Sequence, residues 1–277
     1  MSSSEPMIFI LDLDGTIIGD CMYQVILHNV DEISKKHKIK CSPSSAMMDS
    51  YGIDSKLIRP FFKYFITSIK KFYPNSHFFV YTASEKTWAQ KEINMIEKTH
   101  SIKFNRPLFT REDCIIDSFG QYKKSVKKIL PRIAKSIRIK TENINKNNIL
   151  VIDNNPVFID FISNLLICPT YDCVQFCNVL DKISKQHTKI DEMEKYVSNL
   201  IATNKACFYD NSESSDCKIL EQKHKWLYKK YRKINSLNKR YKKDVFWKKI
   251  TNIIIERGMT HFDSQNVNVL HRVVANN

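Results

Sequence analysis

Two aspartates one residue apart, Asp12 and Asp14, follow the apolar run Ile8, Phe9, Ile10, Leu11 and precede Gly15 and Thr16. Four consecutive apolar residues make a short buried strand. Residues two apart on an extended segment project to the same side, so both carboxylates face the crevice beyond the strand's carboxyl end, where open α/β sheets bind ligands. Two carboxylates this close repel unless one is protonated or a cation lies between them. Mg²⁺ suits the place, because it takes a few oxygen ligands and keeps waters that a phosphate can replace. A calcium loop counted from Asp12 would need Glu at its twelfth position, which is Tyr23. A bare Asp-Gly turn would leave the buried run in front of it unexplained.

Two further buried strands end in polar residues of the right kind. Residues 77–81 lead into Thr82, Ala83 and Ser84, and residues 148–152 lead into Asp153, Asn154, Asn155 and Pro156. Before and between them the sequence predicts helices over 60–73, which Pro60 opens and Pro74 stops, then 85–99, and a basic helix over 122–137. Residues 22–37 have a looser helical pattern, and 41–54 read as a Ser-rich loop. Strands alternating with helices predict an α/β fold, a parallel sheet flanked by helices, with its polar residues gathered at the carboxyl ends of the strands.

From these motifs the chain resembles the haloacid dehalogenase superfamily of phosphotransferases. Within it, the chain is most similar to the Fcp/Scp (NIF-like) phosphatases that act on the RNA polymerase II carboxy-terminal tail. The finer matches are Arg59-Pro60, which opens the helix before the second motif, Trp88-Ala89 after Thr82-Ala83-Ser84, and Leu108-Phe109 before Arg111-Glu112 and Cys114. Tyr122 stands two residues before Lys124, and Asp153-Asn154-x-Pro156 completes the set. The resemblance covers roughly residues 5–180. It departs at Gly15, where the subgroup carries an acidic residue and the wider superfamily, polynucleotide 3′-phosphatases included, favours Gly.

The resemblance implies a HAD-like (Rossmann-like) domain and a role for each motif residue. Asp12 would be the nucleophile that forms an aspartyl-phosphate, and Asp14 the general acid and then base. Mg²⁺ would sit on the Asp12 carboxylate, the Asp14 carbonyl and Asp153, with Asn154 in support. Thr82 and Lys124 would hold the phosphate, and Arg111 is a candidate substrate contact. Plainer roles stand beside these. Thr82 and Ser84 could cap the following helix, Lys124 could be a solvated charge among Lys123, Lys127 and Lys128, Asp153-Asn154 could be a turn, and Arg111 could form a surface ion pair.

The net charge of +15 over 277 residues is uneven. The stretch 218–250 carries 13 basic and 2 acidic residues, more positive charge than the rest of the chain together. Such a density favours nucleic acid or an acidic partner, with Trp226, Tyr228 and Trp247 available for stacking. Clusters at 229–233 and 239–243 fit nuclear localisation signals. Leu220, Leu227, Tyr231, Ile234, Tyr241 and Val245 mark one face of a long helix after a polar linker at 210–216. The expected organisation is a phosphatase domain over 1–185, closed by a helix over 174–185, and a basic, mostly helical C-terminal region over 186–277. No apolar run reaches the ~20 residues of a membrane span. The N-terminus lacks the pattern of a secretory signal, and the eight cysteines contain no C-x-x-C pair. The expectation is a nuclear or cytoplasmic Mg²⁺-dependent phosphatase acting on phosphoserine or phosphothreonine in protein. The alternatives are a polynucleotide 3′-phosphatase and a non-catalytic scaffold with a nucleic-acid-binding tail.

Overall fold

The computed structural model describes residues 5–19, 57–171, 173 and 241–275. In chain order its elements are β1 (Met7–Leu11), α1 (Phe62–Phe72), β2 (Ser76–Val80), α2 (Lys86–His100), β3 (Ile115–Ile116), β4 (Tyr122–Lys123) and α3 (Val126–Ser136). There follow β5 (Ile149–Asp153), β6 (Leu165–Ile167), α4 (Phe246–Glu256) and α5 (Ser264–Ala275). Among the described residues the main sheet has the order β2-β1-β5-β6, all parallel. This is the α/β architecture expected, a parallel sheet flanked by helices, with helices also near the C-terminus.

Every residue of β1 is buried because both faces of the sheet are covered. Ile8 and Ile10 face one way with Phe79, Tyr81, Ile149 and Val151, against Val126, Ile129 and Ile133 of α3. Phe9 faces the other way, stacked on Phe78 at 4.9 Å and edge-on to Phe65 at 5.4 Å. That second layer is completed from the far end of the chain. Trp247 of α4 is fully buried, its ring centroid 4.6 Å from that of Phe65 and 5.1 Å from that of Phe62, and Phe262 lies 5.6 Å from Phe9. Buried Asn164 adds hydrogen bonds, its Nδ2 donating to the carbonyls of Phe262 at 2.8 Å and Ile149 at 3.1 Å.

Met1–Gly19, Ser55–Asp172 and Tyr241–Asn277 accordingly form one compact unit. Sequence alone places residues 241–277 in the basic C-terminal region; their apolar faces, Phe246, Trp247, Ile250 and Ile254 above all, instead build the core behind the sheet. Trp247, read from sequence as a stacking platform for bases, is a core residue because the aromatic face of α1 covers it. The helices expected at 22–37 and 174–185, the loop at 41–54, the linker at 210–216 and the charged stretch up to residue 240 lie outside the described residues.

One element boundary also differs from expectation. Tyr122 and Lys123 belong to a hairpin with Ile116 and Ile115, not to the following helix. The hairpin turns on Gly120 at φ 76°, with Asp117 Oδ1 accepting the backbone N–H groups of Phe119 and Gln121 at 2.9 Å each. Helix α3 starts only after Ser125, whose hydroxyl accepts from Lys128 N–H.

Candidate active site

Because β2, β1 and β5 are adjacent and parallel, their carboxyl ends open on one spot. Asp12 follows β1, Thr82 lies just beyond β2, and Asp153 ends β5. Lys124 arrives from a fourth direction and is pinned there. Its N–H donates to Val157 O at 2.9 Å, and its carbonyl accepts from Ile159 N–H at 3.0 Å. Asp160 fixes the start of the helix behind it, accepting from the Ser125 hydroxyl at 2.6 Å and Val126 N–H at 2.8 Å.

The Lys124 ammonium lies 2.6 Å from Asp12 Oδ1 and 2.7 Å from Asp153 Oδ2, with all three side chains buried. It sits 5.7 Å from the Tyr81 ring centre and 5.6 Å from that of Phe158. At 2% exposure it is no solvated charge. Burial works to lower its pKa, but the Asp12 and Asp153 carboxylates outweigh burial and raise it, so Lys124 stays an ammonium. Burial pushes the Asp12 carboxyl the other way, up to about 7; Lys124 offsets part of this, and the neighbouring Asp153 and Asp14 add to it. When Asp12 is ionised, it and Asp153 outnumber the one ammonium between them, and Asp14 at the mouth adds to the negative charge.

Asp14 stands at the mouth of the site, half-buried. Its Oδ2 accepts from the Ser84 hydroxyl at 2.6 Å and, more loosely, from the Thr82 hydroxyl at 3.4 Å. Neither hydroxyl caps α2, whose N-terminus has no side-chain cap bond. Thr82 Oγ1 instead accepts from Ser84 N–H at 3.1 Å, which folds the loop back toward the carboxylates.

Asn154 closes the site on the remaining side. One end of its side-chain amide lies 3.1 Å from the Asp14 carbonyl oxygen and 3.2 Å from both Asp12 Oδ2 and Thr16 Oγ1; the other end meets the Thr170 hydroxyl at 3.3 Å. The approach depends on Gly15, at φ 76°, since a Cβ there would come within 2.7 Å of Asn154 Nδ2. Asp153 has both oxygens engaged, Oδ2 by Lys124 and Oδ1 by Asn155 N–H at 2.7 Å. Among the described residues, no three His, Cys, Asp or Glu side chains form a ready-made metal cluster.

Arg111 is brought to the rim and not into the cluster. Its Nε donates to Ala83 O at 2.9 Å, its Nη1 pairs with Glu85 at 3.1 Å, and its guanidinium lies over the Tyr122 ring at 5.3 Å. The surface ion pair read from sequence thus exists, beside the loop that carries Thr82. Sequence reasoning assigned no role to Thr16, which touches both Asp12 and Asn154, or to Asp160, which fixes the Lys124 segment. The position of Thr16 four residues after Asp12 was a usable signal; Asp160 had none, since its partners are distant in sequence.

A model of the NLI interacting factor-like phosphatase family matches residues 7–197. No curated protein sequence matches the chain. Among solved structures the chain is similar to Fcp1, described as an essential RNA polymerase II CTD phosphatase, at 19% identity over 83% of this chain and 65% of that one, with a TM-score of 0.36. It is also similar to a fission yeast Fcp1 variant, an RNA polymerase II CTD phosphatase bound to beryllium fluoride, at 16% identity over 98% of this chain and 70% of the other, with a TM-score of 0.37. The chain thus spans less than two thirds of the first of these proteins.

Proposed function

The chain belongs to the NLI interacting factor-like phosphatase family, and from that membership and the site geometry we propose that it hydrolyses phosphoserine or phosphothreonine esters in a protein of the polymerase-tail kind. The observation that carries this reading is the buried Lys124 ammonium held between Asp12 and Asp153, beside Asp14 with its two hydroxyl partners. Four separate segments converge there, and the arrangement supplies a nucleophile, a proton carrier and fixed positive charge, the needs of phosphoryl transfer.

An oxygen of Asp12 attacks phosphorus while the bond to the serine or threonine oxygen breaks, and Asp14 gives that oxygen its proton. Asp14 then takes a proton from water, the water oxygen attacks the phosphorus of the aspartyl-phosphate, and Asp12 is freed with release of phosphate. Lys124 and the Thr82 hydroxyl hold phosphate oxygens throughout.

The residues present fit Mg²⁺. Asp12 Oδ2, the Asp14 carbonyl and one end of the Asn154 amide converge within 3.2 Å of that amide atom. With the amide nitrogen inward, Asn154 donates to the two oxygens. With its oxygen inward, three oxygens face one another and need a cation among them. The excess of negative charge when Asp12 is ionised fits the same ion. Asp153 gives one lone pair of each oxygen to Lys124 and to Asn155 N–H and keeps the others, so it stays in the ligand set expected from the resemblance with Asn154 beside it. Bound there, the ion would neutralise the phosphate and the nucleophile together.

Gly15 favours one second reading, a polynucleotide 3′-phosphatase, since Gly is what those enzymes carry at this place. A panel of phosphoserine heptapeptides and 3′-phosphorylated oligonucleotides, with Mg²⁺ or EDTA, tests both against Asp12→Asn. Release from peptides alone, dependent on Mg²⁺ and Asp12, supports the proposal. Release from oligonucleotides alone replaces it, and silence on both leaves the scaffold.

A further inference from the structure

The segment that begins at Tyr241 lies beyond the region matched by the family model, yet it reaches toward the nucleophile through buried groups. Asp244 holds Arg59 by two bonds, from Nε to Oδ1 at 3.1 Å and from Nη2 to Oδ2 at 2.9 Å. Arg59 is only 1% exposed, and its guanidinium lies 4.4 Å from the Phe246 ring centre and 5.5 Å from that of Tyr171. Its third arm, Nη1, points at Cys168 Sγ at 3.6 Å. Cys168 Sγ in turn lies 3.7 Å from Thr16 Oγ1, and Thr16 Oγ1 lies 3.3 Å from Asp12 Oδ2.

The direction of this chain follows from what each group can do. A guanidinium only donates, so the sulfur accepts from Arg59. Burial pushes the Cys168 thiol up to about 11, with Arg59 partly offsetting it, so the thiol keeps its proton and can give it to Thr16 Oγ1. Thr16 Oγ1 also accepts from Asn154 N–H at 3.1 Å. With the Cys168 thiol donating and both lone pairs engaged, the Thr16 proton has Asp12 Oδ2 at 3.3 Å and, when the amide oxygen faces inward, Asn154 Oδ1 at 3.2 Å within reach; with the amide nitrogen inward it goes to Asp12 Oδ2. Lys124 already holds Oδ1, so the two partners fix the plane of the carboxylate.

We infer that Asp244, Arg59 and Cys168 act as positioning residues that set the orientation of the Asp12 carboxylate through Thr16. The segment from Tyr241 onward is thereby a working part of the active site. In its kinetic form the inference rests on the reading of Asp12 as the nucleophile. Asp244 also accepts from Phe246 N–H at 2.9 Å, so the start of α4 and the aim of Arg59 are set by one carboxylate. A shift of that helix start is thus transmitted to the nucleophile.

The test uses the full chain and an aryl phosphate with Mg²⁺. Cys168→Ala breaks the relay and should lower kcat about tenfold, the scale of a lost oriented contact, with KM changed less than about twofold. Cys168→Ser, which keeps donor and acceptor, should recover most of the loss. Asp244→Asn should also lower kcat, and its combination with Cys168→Ala should be no slower than Cys168→Ala alone. A wild-type kcat in a folded Cys168→Ala protein, or losses that multiply in the double variant, would overturn the inference. If the wild-type protein releases no phosphate, the reading of Asp12 fails instead, and the relay is judged by thermal unfolding of Thr16→Val, Asp244→Asn and their double variant. Melting shifts that fall short of additivity support coupling of these two sites, and additive shifts overturn it.

Discussion

Replacing Lys124 by Met tests the centre of the site without opening a hole in it. The methionine side chain has a similar length and stays packed between Tyr81 and Phe158, so the change removes charge and little else. What remains is Asp12 and Asp153, both buried and both deprived of the ammonium at 2.6 and 2.7 Å. Removing one partner of a buried ion pair costs about 3–5 kcal/mol. Asp153 keeps the Asn155 N–H, and Asp12 keeps Thr16, so the lower end applies, about 3 kcal/mol. At about 2–4 °C per kcal/mol, the melting temperature in EDTA should fall by roughly 6–12 °C. The pH dependence has a definite sign. Carboxyls held above their unfolded pKa contribute stability below that pKa and lose it as pH rises through the folded value. The deficit of Lys124→Met should therefore be full in mild alkali and shrink on acidification, as the Asp12 carboxyl, which burial holds up at about 7, takes up a proton. Melting followed by circular dichroism at several pH values, in EDTA, measures both. A variant that melts with the wild type at alkaline pH would refute the buried arrangement of Asp12, Lys124 and Asp153.

Other perturbations should separate the site from its supports. Trp247→Ala should cost about 3–5 kcal/mol, because a fully buried ring against Phe62 and Phe65 is removed; urea unfolding checks it, and truncation at residue 240 should abolish the cooperative transition. Gly15→Ala should lose about 1–3 kcal/mol from a positive φ and crowd Asn154; calorimetry should record weaker Mg²⁺ binding than in the wild type, and unchanged binding would count against Asn154 as a ligand. Burial works to raise the Glu97 pKa, but hydrogen bonds from Arg106, Phe104 N–H and Lys103 outweigh burial and hold it below the ordinary 4.5. That group stabilises the fold above the unfolded value and is lost as pH falls through the folded one. Glu97→Gln should therefore differ from the wild type in melting temperature at neutral pH and converge with it in acid.

The strand ends were legible because each is a local pattern. An apolar run followed at once by Asp12 and Asp14, by Thr82 and Ser84, or by Asp153 and Asn154 needs nothing beyond alternation and spacing to be recognised. Strand β6 was not legible, since three residues of apolar sequence carry no period. The hairpin before Lys124 was hidden inside a lysine-rich stretch that suits a helix equally well, and the turn on Gly120 and Asp117 decided otherwise. Helix α4 was obscured by the basic run around it, because charge density says nothing about which face is buried.

By itself, then, the sequence determined the chemical types at the site and the sheet that carries them, because both are written in residues close together along the chain. Only the tertiary structure decided what those groups do to one another. Lys124 becomes a buried counter-ion instead of a solvated charge because Tyr81, Phe158 and two carboxylates from other strands enclose it. Asp153 is drawn to that ammonium, and Asn154 turns to the Asp14 carbonyl because Gly15 leaves room. Asp244 meets Arg59 across 185 residues, since the aromatic layer of α1 and α4 brings the two ends of the chain together. Contacts made over such separations depend on packing in three dimensions, and no local pattern encodes them.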